Sequence, residues 1–226
     1  LAMIGRLAAG VAHEINNPLG IIAGHAELAL RKLAPDDDRA RAALEAIRDE
    51  AFRGKQITEK LLSLSRGSVA ERHAVDAAEL LRDVAGLVAE LPAHQGKAVE
   101  VEVDDTASLT VEADASELKQ VLINLAVNAL DAIERDGGRV TLRGRREGEA
   151  VTLQVIDNGR GMTGQTLERV FEPFFTERRG VAEPGTGLGL SISHAIVADH
   201  HGTLTAQSAG PGRGSTFTIT LPAAEG

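Results

Sequence analysis

Three short runs carry residues that could hold a magnesium nucleotide, and a fourth could receive a phosphoryl group. In Asn124-Leu-Ala-Val-Asn128 two carboxamides stand one helical turn apart, so both project from the same face. Amide oxygens suit Mg²⁺, a hard cation that takes oxygen ligands and keeps several waters beside substrate phosphates. Among neighbours as apolar as Val121, Leu122, Ile123, Leu125, Val127 and Leu130, two amides are costly to bury without partners. Alone, they would serve equally well to cap backbone or bind water. Asp157-Asn-Gly159-Arg-Gly161 ends a strand pattern. Its carboxylate only accepts, so it matches an adenine amino group and not a guanine carbonyl, while the glycines allow a sharp turn and close approach to a flat ligand. By itself Asp-Asn-Gly is an ordinary turn. Gly185-Thr186-Gly187-Leu188-Gly189-Leu190 leads into an apolar helix whose first N–H groups and positive dipole end suit a polyphosphate. Each run is weak evidence alone, and their order in one chain is what makes them specific. Upstream, His13-Glu14-Ile-Asn-Asn17-Pro18 supplies an imidazole two residues from both Val11 and Ile15, hence opposite their stripe and exposed. Such a ring is substantially neutral and nucleophilic near neutral pH.

These residues need a scaffold, and apolar spacing supplies one. Ile4, Ala8, Val11, Ile15, Leu19, Ile22, Ala26, Ala29 and Leu33 recur at intervals of three and four, the narrow stripe of a bundled helix. Pro35 and Asp36 to Asp38 break it, and a second stripe follows through Leu44, Ile47, Ala51, Leu61 and Leu64. Two such helices make an antiparallel hairpin with too little core to stand alone, so two copies are expected to pair into a four-helix bundle. Gly67-Ser68 marks a linker, giving expected boundaries of 1–66 for the hairpin, 67–73 for the linker and 74–226 for a mixed α and β domain. In that domain a helix is expected over 76–90 and a strand over 99–103. Asp114 caps a helix running to Ile133, with Glu117 completing a capping box. Strands follow over 140–143 and 151–156 as a hairpin, then a helix over 187–198, then a closing strand pair over 203–208 and 215–221.

Bulk composition narrows the function classes. At 226 residues the chain can hold two cores, since domains commonly run to ~100–150 residues. A formal charge of −9 and pI near 5.3 argue against nucleic acid and toward protein or small-molecule partners. With no cysteine, neither disulfides nor thiolate metal sites are possible. No apolar run approaches the ~18–20 residues of a membrane span, and the opening residues are expected to be amphipathic helix rather than signal peptide. A cytoplasmic fragment is expected, joined to any membrane anchor only through segments outside it. There is no Walker pattern and no dinucleotide fingerprint. His200-His201 lacks further ligands at metal spacing and reads as a helix end.

With all four runs in place, the chain resembles the catalytic core of a bacterial two-component sensor histidine kinase, in its nitrogen-regulation-like branch. The resemblance covers almost the whole chain. It implies an α+β fold: a dimeric helical hairpin for phosphotransfer, followed by an α/β sandwich ATPase domain of the Bergerat fold, with helices on one face of a mixed sheet and a mobile lid. It further implies that His13 is phosphorylated from ATP, that Glu14 takes its proton, and that Asn17 orients water when the partner is dephosphorylated. Asn128 would hold Mg²⁺, Asn124 would lie near the phosphates, and Asp157 would read adenine, with Gly159 and Gly161 beside it. Phe171-Glu-Pro-Phe-Phe175 resembles the phenylalanine box flanking the lid. Gly185, Thr186, Gly187, Leu188, Gly189 and Leu190 match the phosphate loop. Gly212-Arg-Gly214-Ser-Thr216-Phe217 resembles the closing glycine block, placing Thr216 at the nucleotide. The implied partner is the receiver domain of a response regulator, reached by the homodimer.

One position departs from the pattern. Many relatives carry a basic residue or histidine three places after the metal asparagine, where this chain has Asp131, so charge compensation is expected from Mg²⁺, joined by Arg178, Arg179 or Lys119. Two other readings stay open on sequence: a clamp-type ATPase of the same superfamily, and a degenerate kinase that binds nucleotide as a dimeric scaffold.

Overall fold

The structure is a computed structural model that describes residues 2–33, 37–63, 72–91, 94, 96–104, 107–134, 137–177 and 187–224; before residue 72, side chains are described at 15, 18–33, 37–49, 51 and 54. Two compact units emerge, Leu1–Ser68 and Val69–Gly226.

The first unit is the expected hairpin, α1 (Ala2–Lys32) and α2 (Asp38–Ser63). Small residues let the helices approach. Ala23, Ala26 and Ala51 are buried, and a Cβ at Gly54 would stand 2.9 Å from Leu19 Cδ1. Among the described residues, large aliphatics remain uncovered: Ile15, Ile21, Ile22, Leu28 and Ile47 are between 42 % and 62 % exposed. Five large aliphatics in that state exceed what a lone surface helix needs to show to water, as expected of a bundle cut in half. Pro18 lies inside α1 and is exposed, so the backbone donor missing there falls on the outer surface. His13, Glu14 and Asn17 lie within α1, but the exposure expected of His13 falls outside the described residues.

The second unit runs β1 (His73–Asp76), α3 (Ala77–Ala89), β2 (Ala98–Val103), β3 (Thr110–Ala113), α4 (Ala115–Asp131), β4 (Arg139–Glu147), β5 (Ala150–Asp157), α5 (Gly164–Arg169), α6 (Gly189–Asp199), β6 (Thr203–Gln207) and β7 (Ser215–Pro222). Its five-stranded sheet is ordered β2-β4-β5-β7-β6, with β2 parallel to β4 and every other pair antiparallel. Alternation fixes its faces. Val151, Leu153, Val155 and Asp157 of β5, with Ser215, Phe217, Ile219 and Leu221 of β7, are buried toward α3, α4 and α6. Thr152, Gln154, Thr216, Thr218 and Thr220 occupy the opposite face.

The elements missed by periodicity are short. β1 and β3, four residues each, pair antiparallel into a separate two-stranded sheet, so His73, expected in the linker, is already strand. β4 outruns its expected end because Gly144 continues it, where a Cβ would stand 2.8 Å from Leu109 and 2.9 Å from Leu81. The helix expected from residue 187 starts at Gly189.

Only half of the capping box takes the expected form. Asp114 Oδ1 accepts from Ser116 and Glu117 N–H, but the N–H of Asp114 itself donates to His200 Nε2 at 3.0 Å. His200, a helix end as expected, is 3 % exposed with Nδ1 2.8 Å from the Ile196 carbonyl. The ring therefore donates at Nδ1 and accepts at Nε2, tying the end of α6 to the start of α4. Removing it would leave a cavity and a buried N–H without its acceptor. His200→Ala is expected to lower unfolding free energy by about 2 kcal/mol, read from urea midpoints at constant m. A loss below about 0.5 kcal/mol, within the scatter of ordinary surface changes, would mean this tie contributes nothing.

Candidate functional site

The site is built along α4. At its C-terminal end the chain after β5 turns back against it: Asp157 Oδ1 accepts from Gly159 N–H at 2.8 Å, and Arg160 N–H donates to the Ala132 carbonyl at 2.9 Å. The loop between β6 and β7 clamps the other side, with Gly212 N–H on the Arg160 carbonyl at 2.6 Å and Gly214 N–H on the Gly159 carbonyl at 3.1 Å. Ser208 Oγ locks that loop, accepting from Met162 N–H and donating to the Gly214 carbonyl. Glycine is required where backbones meet. A Cβ on Gly159 would lie 2.5 Å from the Ala132 oxygen, and one on Gly161, at φ +67, would lie 2.2 Å from the Gly210 oxygen.

Asp157 is 7 % exposed. Burial pushes its carboxyl above the ordinary range, while N–H groups of Gly159 and Ser215 and the charge of Arg160 pull it partly back. A raised folded-state pKa means the folded protein keeps the proton to higher pH than the unfolded chain does. Stability from this group therefore declines as pH rises from about 4 through the folded value, and the cost is complete above it. Asp157→Asn keeps an acceptor for Gly159 and lacks the charge. Its melting temperature relative to wild type is expected to improve as pH rises from about 3.5 through the folded value and to level off above it. A flat difference across that range would show that Asp157 carries no burial cost.

Farther up α4, Asn128 is half-buried and its amide forms no side-chain hydrogen bond among the described residues. Its oxygen is available to a cation, and the donor chemistry fits Mg²⁺. Asn124 is already engaged: its Nδ2 donates to Ser193 Oγ on α6 at 2.9 Å, and its Oδ1 lies so close to Gly189 that a Cβ there would be 2.4 Å away. That close approach brings the start of α6 beside α4. The α6 N-cap, Leu188, makes no side-chain cap hydrogen bond, and a helix start of this kind suits an anion. Leu188 is fully buried, so only its backbone could meet a ligand, and Leu190 packs against the core. Gly187, at φ +67, accepts from Phe174 N–H at 2.9 Å, fastening the start of the helix to the Phe171–Phe175 segment. Phe171 packs on His194 and Phe217 at 5.2 and 6.4 Å.

The structure thus places Asn124 and Asn128 on α4, with Gly189 packed against Asn124 and Gly159 against the C-terminal end of the helix, Asp157 and Gly161 in the turn of Gly159, and Gly187 just before Gly189. Gly185, Thr186, Arg178 and Arg179 lie outside the described residues. Thr216 does not join them. It stands opposite Ile156, whereas Asp157 stands opposite Ser215, so strand alternation puts Thr216 on the far face and Ser215, 8 % exposed, beside the carboxylate. The motif alone could not tell the two hydroxyls apart; counting pairs back from the hairpin turn would have. Lys119, expected to neutralise phosphate, pairs through its Nζ with Asp83 of α3 at 3.0 Å. Asp131 lies 3.7 Å from His94 Nε2.

Residues 113–225 match the family described as histidine kinase-, DNA gyrase B-, and HSP90-like ATPase, and residues 3–68 match the His Kinase A (phospho-acceptor) domain. Sensor histidine kinase ZraS of Klebsiella oxytoca is 38 % identical over 98 % of this chain and 46 % of its own length. Full-length ShkA in complex with AMPPNP superposes with a TM-score of 0.79 at 28 % identity, over 98 % of this chain and 46 % of that one. Histidine kinase ThkA, in complex with the response regulator protein TrrA, gives a TM-score of 0.69 at 29 % identity, over 99 % of this chain and 63 % of that one. The chain spans about half the length of the curated relatives it matches. Among the described residues no helix is long and apolar enough to cross a membrane.

Proposed function

The chain belongs to the sensor histidine kinases, joining a phospho-acceptor domain to an ATPase domain, and from that premise we propose that it phosphorylates itself on His13 from ATP and passes the group to an aspartate of a response regulator. The observation that carries this reading is the convergence on α4 of a buried carboxylate, Asp157, and the uncapped start of α6, with the free amide of Asn128 between them. Adenine would sit with its amino group on Asp157. The triphosphate would run along α4 toward the N–H groups of Gly189 and Leu190. Mg²⁺, when bound, would neutralise charge developing on the phosphates, and Asn128 would hold it.

His13 attacks the γ-phosphorus in line, the bond to the bridging oxygen of the departing ADP breaks, and the imidazole proton passes to Glu14. The ATPase domain contributes position and charge neutralisation more than covalent chemistry. Asn17, one turn after His13, would orient water when the same protein dephosphorylates its regulator. The regulator complex of ThkA supports a receiver-domain partner, and the uncovered aliphatics of the hairpin support a homodimer through paired hairpins.

Incubation with γ-labelled ATP and Mg²⁺, followed by acid and alkali treatment of the labelled chain, tests the reading. An acid-labile, alkali-stable label is expected, the signature of a phosphoramidate. Labelled free phosphate with an unlabelled chain would replace the proposal with a clamp-type ATPase, and binding without turnover would replace it with a scaffold.

A further inference from the structure

The proposed reading leaves the faces of the purine unaccounted for. Asp157 meets only its edge. The chain has no Trp and no Tyr, so a large carbocyclic ring for stacking could come only from its five Phe. In the second unit all four are placed elsewhere. Phe217 is in the core and Phe171 packs on it and on His194. Phe175 lies under the Arg169 guanidinium at 4.7 Å, and Phe174 is bonded through its N–H to Gly187, at the start of α6 rather than at the Asp157 turn.

Between Gly159 and Gly161 stands one residue with a side chain, Arg160. The close approaches on either side forbid any side chain at the two glycines, whereas the Arg160 backbone is tied on both sides, its N–H on Ala132 and its carbonyl on Gly212. Its side chain is 40 % exposed and reaches past the end of α4, where Nη1 lies 3.7 Å from Glu134 Oε1. That pair is long, and Glu134 is 73 % exposed, so it holds the arginine weakly. Arg160 belongs to the same turn as Asp157, three residues on, and its charge also acts on the Asp157 carboxyl. A guanidinium is planar, weakly hydrated and stacks readily on π-systems.

We propose that Arg160 closes over the purine bound at Asp157, stacking its guanidinium on the face of the base and exchanging its contact with Glu134 for that one. This rests on the reading of Asp157 as the adenine partner. It divides the labour at the turn: stacking tolerates any base and supplies affinity, whereas the carboxylate supplies the choice of adenine.

Isothermal titration of adenosine and of Mg-ATP into wild type, Arg160→Ala, Arg160→Lys and Asp157→Asn separates the possibilities. Arg160→Ala is expected to weaken both ligands by a similar factor, roughly tenfold. Arg160→Lys, which keeps the charge but not the plane, is expected to recover Mg-ATP more than adenosine. A loss confined to Mg-ATP would overturn the proposal in favour of a phosphate contact, and unchanged adenosine affinity would overturn it outright. The backbone bonds of residue 160 survive in both variants, and Arg160→Lys carries the test if Arg160→Ala melts early. Asp157→Asn binding adenosine as well as wild type would instead defeat the adenine reading, whatever Arg160 does.

Discussion

In a His13→Gln variant, incorporation of label from γ-labelled ATP is expected to fall to background, by roughly three orders of magnitude or more, while affinity for Mg-ATP stays within about twofold of wild type. The large term follows from chemistry. Glutamine has no nitrogen lone pair able to attack phosphorus, so no phosphoramidate can form. The small term follows from architecture. His13 lies in the hairpin unit, Leu1–Ser68, whereas the proposed nucleotide residues belong to Val69–Gly226, a unit with its own sheet and core. Glutamine is also among the better helix formers, so α1 should persist through the substitution. Labelling read on a denaturing gel, beside a filter-binding or calorimetric Kd, gives both numbers from one preparation. Label persisting on the variant would move the acceptor elsewhere, and His25, also on α1, would be the next to substitute. Label and affinity falling together would mean that the two units do not act independently.

How far this site was legible in the sequence depends on what kind of signal each residue gives. Asn124 and Asn128 were readable because a helical turn puts them on one face whatever surrounds them, and the capping residue Asp114 fixed the frame of that helix. The β4–β5 and β6–β7 hairpins were readable because alternation and turn glycines are local signals. Pairing between distant segments was not. β1 and β3 are too short to show a period, and each becomes a strand only through the other, His73 pairing with Ala113 forty positions away. Thr216 was misplaced for the same reason, since which of two adjacent hydroxyls faces Asp157 is a matter of register. The role of His200 was hidden because nothing local to α6 announces an acceptor for the start of α4. The glycines were read as phosphate-loop and turn residues, and several do more. Gly189 admits Asn124, and Gly159 admits the carbonyl that ends α4.

Gly214→Ala is expected to cost about 3–4 kcal/mol of unfolding free energy, against about 1 kcal/mol for Gly212→Ala in the same loop. Both residues adopt left-handed backbone, Gly212 at φ +75 and Gly214 at φ +71, so both substitutions carry the conformational penalty of a Cβ in that region. Only one carries a collision. A Cβ at Gly212 meets nothing within 4 Å, whereas one at Gly214 would lie 2.0 Å from the Asp157 carbonyl oxygen and 3.0 Å from Asn158 Cα. Backbone cannot swing aside as a flexible side chain can, so β7 and the turn after β5 must separate. That separation would also loosen the Gly214 N–H bond to the Gly159 carbonyl, and with it the turn that presents Asp157. Urea denaturation of the two variants reports the difference directly, because the shared left-handed penalty cancels between them. Nucleotide affinity should follow the same order, with Gly214→Ala losing Mg-ATP at temperatures where it is still folded and Gly212→Ala keeping it. Equal losses of stability in the two variants would mean that the loop can shift as a whole, and that the close approach at Gly214 does not hold the adenine turn in place.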